Sequence, residues 1–408
     1  MPHFRYYLQL PNIVIDQNRN LKFLYVLRIM RDIINQFGLF FLPVYLFQIG
    51  QKISLFDGYG LDSIQKGMIT IALFFLAERG GIVLTSMPIG KLISATGFTK
   101  TIFFSYLVRL GFFTLLALLD VHPQLFMLAG LLEGIQANMF WPSYFTLFDR
   151  HSSKSKLGKD LGFQQFFLQL CSVFMPAVSG FVAFQFGFPI LYGLVGIFSL
   201  ISLIIILGMN VEKTLDQVSW EEFISWLKIP IFLRFSMSSA GRYLNDAILF
   251  LWPLYVFFVL GNIEKVGYLY TFSLFLALLA VYFVGVYIDR VRSKKSFFFS
   301  GGFLSLIWVL RTQRLSVWGI AFVDAIDKLL GSMHWMFFDA MSLRNAKGSQ
   351  ALSYFVYREI ITSVVGVIFW LVFAVFFWYN QGWNALFIAG GIGVLLTLLI
   401  SDHRYERS

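Results

Sequence analysis

The chain has 408 residues, of which 58% are hydrophobic and only 13% charged, with a mean hydropathy of +0.73. A water-soluble protein of this size cannot hide that much apolar surface, so a soluble enzyme is excluded, and 19% aromatic residues exclude disorder. The net charge of +10 sits in short loops between apolar runs, which points to membrane topology rather than to nucleic acid.

The first 23 or so residues carry Arg5, Asp16, Arg19 and Lys22 and lack the apolar stretch and cleavage site of a signal peptide, so the first span is expected to be retained. Apolar runs follow at about 24–48, 67–90, 101–119, 123–146, 162–184 and 188–208. After a polar stretch they resume at about 231–259, 266–287, 297–310, 315–338, 353–378 and 383–401. A span takes roughly 20 apolar residues. The spacing therefore predicts an all-α polytopic membrane protein with 12 transmembrane helices in two six-helix, pseudo-symmetric halves. The halves are residues 1–208 and 229–408, with a cytoplasmic linker over 209–228. Trp220 and Trp226 in that linker are spaced for an amphipathic interfacial helix. Uninterrupted apolar runs are not the alternating pattern of an outer-membrane barrel. The single cysteine, Cys171, can form no intramolecular disulfide.

Basic residues set the orientation. One set of loops and both termini hold Lys91, Lys100, Arg150, Lys154, Lys156, Lys159, Arg290, Arg292, Lys294, Lys295, Arg344, Lys347, Arg404 and Arg407 among others. The opposite loops hold only Lys52, Lys66, Lys265, Arg311 and Arg314. Both termini are expected in the cytoplasm, in a plasma (inner) membrane of bacterial type.

The halves repeat each other. Asn35, Pro43 and Tyr45 of helix 1 recur as Asn245, Pro253 and Tyr255 of helix 7. In helix 4, Glu133 is followed by Met139 and Trp141; in helix 10, Asp327 is followed at the same spacings by Met333 and Trp335. A tandem repeat of six spans is the mark of a transporter built by duplication.

Two loops extend the pattern. The loop after helix 2 reads Gly90-Lys-Leu-Ile-Ser94-Ala95-Thr-Gly97-Phe-Thr-Lys100, and the one after helix 8 reads Gly285-Val-Tyr-Ile-Asp289-Arg290-Val-Arg-Ser-Lys294-Lys295. Over nearly the whole chain the sequence resembles the major facilitator superfamily, whose Gly-x-Leu-Ala-Asp-Arg-x-Gly-Arg-Lys loop lies between helices 2 and 3 and is echoed between helices 8 and 9. In the first copy Ser94 and Ala95 replace the Asp-Arg pair; the second keeps it in Asp289 and Arg290. The resemblance implies that these loops are cytoplasmic gates, and that helices 1, 4, 7 and 10 surround a central cavity. It also leads to the expectation that Asp289→Asn impairs transport while Ser94→Ala matters little. Met175-Pro176 and Ser179-Gly180 match half of the family's exporter pattern, with Cys171 and Met175 in place of two glycines.

Ionisable residues at bilayer depth are costly and tend to be paired and functional. Asp32, Glu78, Glu133, Asp246, Asp324, Asp327 and Glu359 face Arg28, Arg31, Arg79, Arg109, Arg242, Lys328 and Arg358 in number, which argues for internal pairing and against a highly charged cargo. Asp32 and Asn35 share a stripe with Arg28 and Arg31 on helix 1, and Arg242, Asn245 and Asp246 form its counterpart on helix 7. Gln165, Gln169 and Ser172 share a face of helix 5. A cavity role is expected for Asp32, Asn35, Glu133, Arg242, Asn245, Asp246 and Asp327, with the two stripes facing each other across the substrate path. Arg28 and Arg358 read as snorkelling residues, and His334 as an interfacial hydrogen-bonding one.

The leading reading is a secondary active transporter moving a small organic solute by alternating access, coupled to protons or another ion, monomeric and without a cofactor. A polytopic lipid-modifying enzyme would want a large catalytic loop or a metal cluster, and the sequence has no His-Glu-x-x-His motif or cysteine pair. A non-transporting receptor or assembly factor with a transporter fold is the remaining alternative, kept open by the degenerate first loop.

Overall fold

The computed structural model describes residues 19–151, 168, 170–171, 173–212, 216–290, 294–313, 315–345, 351–379 and 382–400, with the side chains of 19, 20, 55, 277, 279–290, 294 and 344 outside that description. The described chain is helical: α1 (Arg19–Gly38), α2 (Leu42–Gly50), α3 (Ser63–Thr96), α4 (Phe98–Leu118), α5 (Phe126–His151), α6 (Met175–Phe186) and α7 (Phe188–Leu207) come first. They are followed by α8 (Trp220–Trp226), α9 (Pro230–Leu260), α10 (Ile263–Arg290), α11 (Lys294–Arg311), α12 (Val317–Asn345), α13 (Ala351–Trp378) and α14 (Asn384–Thr397).

Among the described residues the apolar runs and the helices coincide, with local departures that have physical causes; most of the expected run at 162–184 before Met175 lies outside the described residues. The first run is broken at Leu39–Phe41 and restarts with Pro43 in the first turn of α2, where a missing N–H breaks no hydrogen bond. Its repeat partner Pro253 instead lies inside the continuous α9. Asp62 caps α3 through the Gln65 N–H at 2.7 Å, and the Gln65 side chain returns the bond to the Asp62 N–H at 2.9 Å. Only Gly97 separates α3 from α4, and only Gly187 separates α6 from α7. Their φ values of 91° and 83° lie in the left-handed region that favours glycine.

Six helical stretches among the described residues are long and apolar enough by themselves to cross a membrane: Leu21–Gly50, Ser63–Thr96, Phe98–Leu118, Phe188–Leu207, Pro230–Leu260 and Ala351–Trp378. Leu84, Ile204, Leu207 and Val372 stand exposed on the outer surface, whereas Trp252, Trp308 and Trp370 are fully buried. Large apolar side chains pointing outward suit a lipid solvent.

Packing follows a regular scheme. α5 lies against α3 and α4, α7 against α1 and α4, and α6 against α1; in the second part α12 lies against α10 and α11, α14 against α9 and α11, and α13 against α9. The two sets meet along α3 with α13, α6 with α10, and α2 with α9. Glycines set the closest approaches. A Cβ at Gly130 would fall 2.3 Å from the Phe74 carbonyl oxygen, and one at Gly134 would fall 2.2 Å from that of Glu78, so this pair lays α5 directly on α3. Gly241 lies likewise on α14, where a Cβ would meet the Gly393 oxygen at 2.6 Å. Successive residues on a helix point about 100° apart. Fixing Gly134 and Gly241 against neighbouring backbones therefore turns Glu133 and Arg242 toward the interior.

The linker is docked at both ends. The Phe98 N–H donates to the Glu212 carbonyl at 2.9 Å, Thr99 Oγ1 to that of Asn210 at 2.8 Å, and Ser94 Oγ to that of Asp216. A Cβ at Gly90 would meet Val218 at 2.5 Å. Beyond it, the Tyr357 hydroxyl donates to Glu222 Oε2 at 2.6 Å and accepts from the Ser219 N–H at 3.0 Å. The amphipathic helix expected around Trp220 and Trp226 is the short α8; Trp220 is exposed, and Trp226 packs on Phe232 and Tyr354.

Candidate functional site

A cavity of about 420 Å³ lies between the two sets of helices, walled by α1, α3 and α5 on one side and α9, α12 and α13 on the other. Its charged lining is Arg28, Glu78, Arg79 and Glu133 facing Arg242, Asp246, Asp339, Arg358 and Glu359. Trp141, Tyr144, Phe145, Phe148, Tyr243, Phe338 and Phe355 supply the aromatic surface.

Every arginine in this lining has a carboxylate and a ring. Arg28 pairs with Asp32 at 3.6 Å and lies 4.6 Å from the centre of the Trp141 ring. Arg79 pairs with Glu78 at 2.9 Å and lies 4.2 Å over Tyr243, a contact that crosses between the helix sets. Arg242 pairs with Asp339 and, at 3.6 Å, with Asp246, while lying 5.0 Å over Trp335. Arg358 pairs with Glu359 and lies between Phe145 and Phe355 at 5.5 and 5.2 Å. A desolvated cation held by a carboxylate and a ring face is neutralised where it stands. Further aromatic contacts tie the sides together: Phe75 stacks on Trp370 at 4.6 Å, and Phe145 on Phe355 at 5.3 Å.

Glu133 is the exception. It lines the cavity, forms no ion pair among the described residues, and keeps Oε2 buried without a hydrogen bond. The cations facing it are Arg109 and Arg31, from behind the cavity wall, and more weakly Arg79 of the lining.

The expected site residues separate into two groups. Glu133, Arg242 and Asp246 line the cavity together. Asp32 is tied to Arg28 beside it. Asn35 and Asn245 turn away from each other, each into its own helix set: Asn35 accepts from Arg109, and Asn245 accepts from Trp308 Nε1 at 2.9 Å. Asp327 lies outside the lining and pairs with Arg311 at 3.5 Å, in a buried cluster where Arg311 also holds Asp324 at 3.1 Å. Of the gate loops, Gly90 packs on Val218, Gly97 forms the turn, and Lys295 is exposed. The backbone of Gly285, Asp289 and Arg290 is helical, while the Asp289, Arg290 and Lys294 side chains lie outside the described residues, as do Gln165, Gln169 and Ser172.

Three expectations need correction. Arg28 and Arg358 are cavity residues rather than snorkelling ones. His334 is fully buried, stacked 4.4 Å from Phe297 and hydrogen-bonded to Thr397 at 2.8 Å, so it is a packing residue inside the bundle. Arg311, counted with the loops, reaches back between the Trp252 and Trp308 rings at 4.6 and 4.3 Å. Asp339 escaped sequence reasoning altogether, because it falls one position past the expected end of its apolar run. Its signal is its place twelve residues, just over three turns, beyond Asp327 on the extended α12.

A family model described as Major Facilitator Superfamily matches residues 33–263, more than half of the chain. Among solved structures, the in meso crystal structure of the POT family transporter PepTSo superposes with a TM-score of 0.64 at 13% identity, over 94% of this chain and 97% of that one. At that identity the likeness is one of fold. No curated protein matches the sequence.

Proposed function

The chain belongs to the major facilitator superfamily and is a multi-pass membrane transporter, and from that premise we propose that it is a secondary active transporter working by alternating access, coupled to protons. Its cargo is a small organic solute with an apolar or aromatic part and a low net charge. The observation that carries this reading is the cavity itself, walled by both helix sets, in which every arginine is neutralised in place and seven aromatic residues share the remaining surface with aliphatic and neutral polar ones. A lining of this kind suits an amphipathic solute, because a highly charged one would have to compete with pairs already formed.

The two-half organisation, with twelve spans, halves at 1–208 and 229–408 and a linker at 209–228, draws support from the packing scheme. The main contacts of the first set recur six spans later: α3 on α5 as α10 on α12, α4 on α7 as α11 on α14, α1 on α7 as α9 on α14. Rocking of such halves about the cavity exposes it to one side at a time. In this reading Glu133 carries the proton, Arg242 and Asp246 meet the solute, and Asp32, Asn35, Asn245 and Asp327 hold the walls. Gly90, Gly97, Gly285, Asp289, Arg290, Lys294 and Lys295 belong to the cytoplasmic gates. The protein functions as a monomer in an inner membrane of bacterial type.

Reconstituted protein tests the function directly. In proteoliposomes screened with amphipathic solutes, an imposed pH gradient is expected to drive uptake, and Arg242→Gln to reduce it about tenfold or more, since two carboxylates then lose their shared cation. Gradient-independent uptake of every solute tried would refute the coupled mechanism. The topology has its own check. A reporter active only in the cytoplasm, fused to the C-terminus, should give signal, and silence with confirmed expression would reverse the orientation.

A further inference from the structure

Behind the cavity wall, α1, α4 and α5 enclose a second polar cluster with too many donors. Arg31 and Arg109 are 2% and 0% exposed. Each gives one Nη2 to a neutral amide oxygen, Arg31 to Gln136 at 2.9 Å and Arg109 to Asn35. The Nε and Nη1 atoms of both guanidiniums, the Tyr106 hydroxyl and the Gln136 amide nitrogen are buried without a hydrogen-bond partner among the described residues. They converge: Arg109 lies 5.9 Å over the Tyr106 ring, Tyr106 is 6.0 Å from Phe140, and Arg31 lies 3.8 Å over that same Phe140. The carboxylate facing both arginines is Glu133, which forms no ion pair with either and leaves Oε2 unpartnered.

The second helix set solves the same problem differently. There one buried guanidinium, Arg311, is held by two carboxylates, Asp324 at 3.1 Å and Asp327 at 3.5 Å, and Trp252 Nε1 donates to Asp324 at 2.8 Å. Two carboxylates neutralise that cation, although Arg311 Nε and Nη1 and Asp324 Oδ2 also lack hydrogen-bond partners among the described residues. The first set buries two guanidiniums that form no ion pair among the described residues: Glu133 faces both without reaching either, and Asp32, which faces Arg109, is paired with Arg28. Buried charges and donors are stable when paired, so this cluster is complementary to one further acceptor-rich negative group. Two planar guanidinium forks suit a carboxylate in particular.

We infer that the buried polar cluster of Arg31 and Arg109, behind Glu133 of the cavity wall, is an anion-binding subsite that receives the carboxylate-type monoanionic group of the transported solute. Glu133 competes for the same arginines and so controls occupancy of the subsite. The cargo assignment rests on the proposed transport function; binding of the anion does not, and the two are tested separately.

The test uses purified full-length protein in detergent at constant ionic strength, with thermal unfolding followed by tryptophan fluorescence during titration with sodium acetate or sodium chloride. Acetate is expected to raise the midpoint saturably, as a ligand of the folded state does. Arg31→Gln and Arg109→Gln should each weaken the apparent affinity about tenfold or more, the equivalent of losing a charge-assisted contact. Glu133→Gln should instead tighten it, because the competing carboxylate is gone. That opposite sign separates an anion site from a purely structural cluster, and it decides the matter even where the arginine variants fail to fold. Acetate without effect on the native protein, or equal effect on native protein and Glu133→Gln, overturns the inference. Chloride as effective as acetate overturns the assignment to a carboxylate of the solute. Anion binding without transport in proteoliposomes would remove the proposed function and leave the site, whereas transport without anion binding would do the reverse.

Discussion

Glu133→Gln is expected to bring pH-gradient-driven accumulation of solute down to background, while exchange of solute down its own gradient continues. The other lining carboxylates each sit against an arginine, Glu78 against Arg79, Asp246 and Asp339 against Arg242, and Glu359 against Arg358. A carboxylate locked in such a pair gains a proton only when the pair breaks. Glu133 has no such pair among the described residues and borders the cavity, so it can take up and release a proton without dismantling a contact. Glutamine preserves its shape and removes the titration. Parallel counterflow and gradient-driven assays on the same vesicles distinguish the outcomes. A variant that still concentrates solute against a gradient using protons would place coupling elsewhere.

The second large effect concerns stability. Arg311→Met should destabilise the protein by about 3–5 kcal/mol, the range for removing one partner of a buried ion pair. Arg311 and Asp324 are both fully buried, Asp327 is nearly so, and Asp324 Oδ2 already lacks a partner, so the variant leaves two carboxylates without their shared cation. The triple variant Arg311→Met, Asp324→Asn, Asp327→Asn should recover much of the loss, because the uncompensated charge is then gone. Thermal unfolding of the purified proteins measures both. A single variant as stable as the native chain would show the cluster to be screened by water.

Some of the site was legible in the sequence. Glu133, Arg242 and Asp246 stood out as charges deep in apolar runs, and all three line the cavity. Asp339 did not stand out, because the apolar run of its helix ends one residue earlier while the helix itself continues to Asn345. Arg28 and Arg358 read as snorkelling residues from their distance along the helix, a coordinate that carries no information about which wall a side chain meets. Asn35 and Asn245 show the same limit from the other side. Their matching positions are real, yet each turns into its own helix set, toward Arg109 and toward Trp308.

What the sequence alone determined is the membrane class of the protein and the existence and order of its helices. Those follow from local free energies: an apolar run of sufficient length partitions into lipid whatever its neighbours do, and in lipid it must satisfy its own backbone as a helix. Only the tertiary structure decided which charges meet. An ion pair depends on the rotation of each helix about its axis, and that rotation is set by contacts such as Gly134 on the Glu78 carbonyl and Gly241 on the Gly393 carbonyl, between residues far apart in the chain. Arg311 falls to Asp324 and Asp327, while Arg31 and Arg109 are left facing a carboxylate they do not reach, because helix packing and not residue spacing fixes those distances.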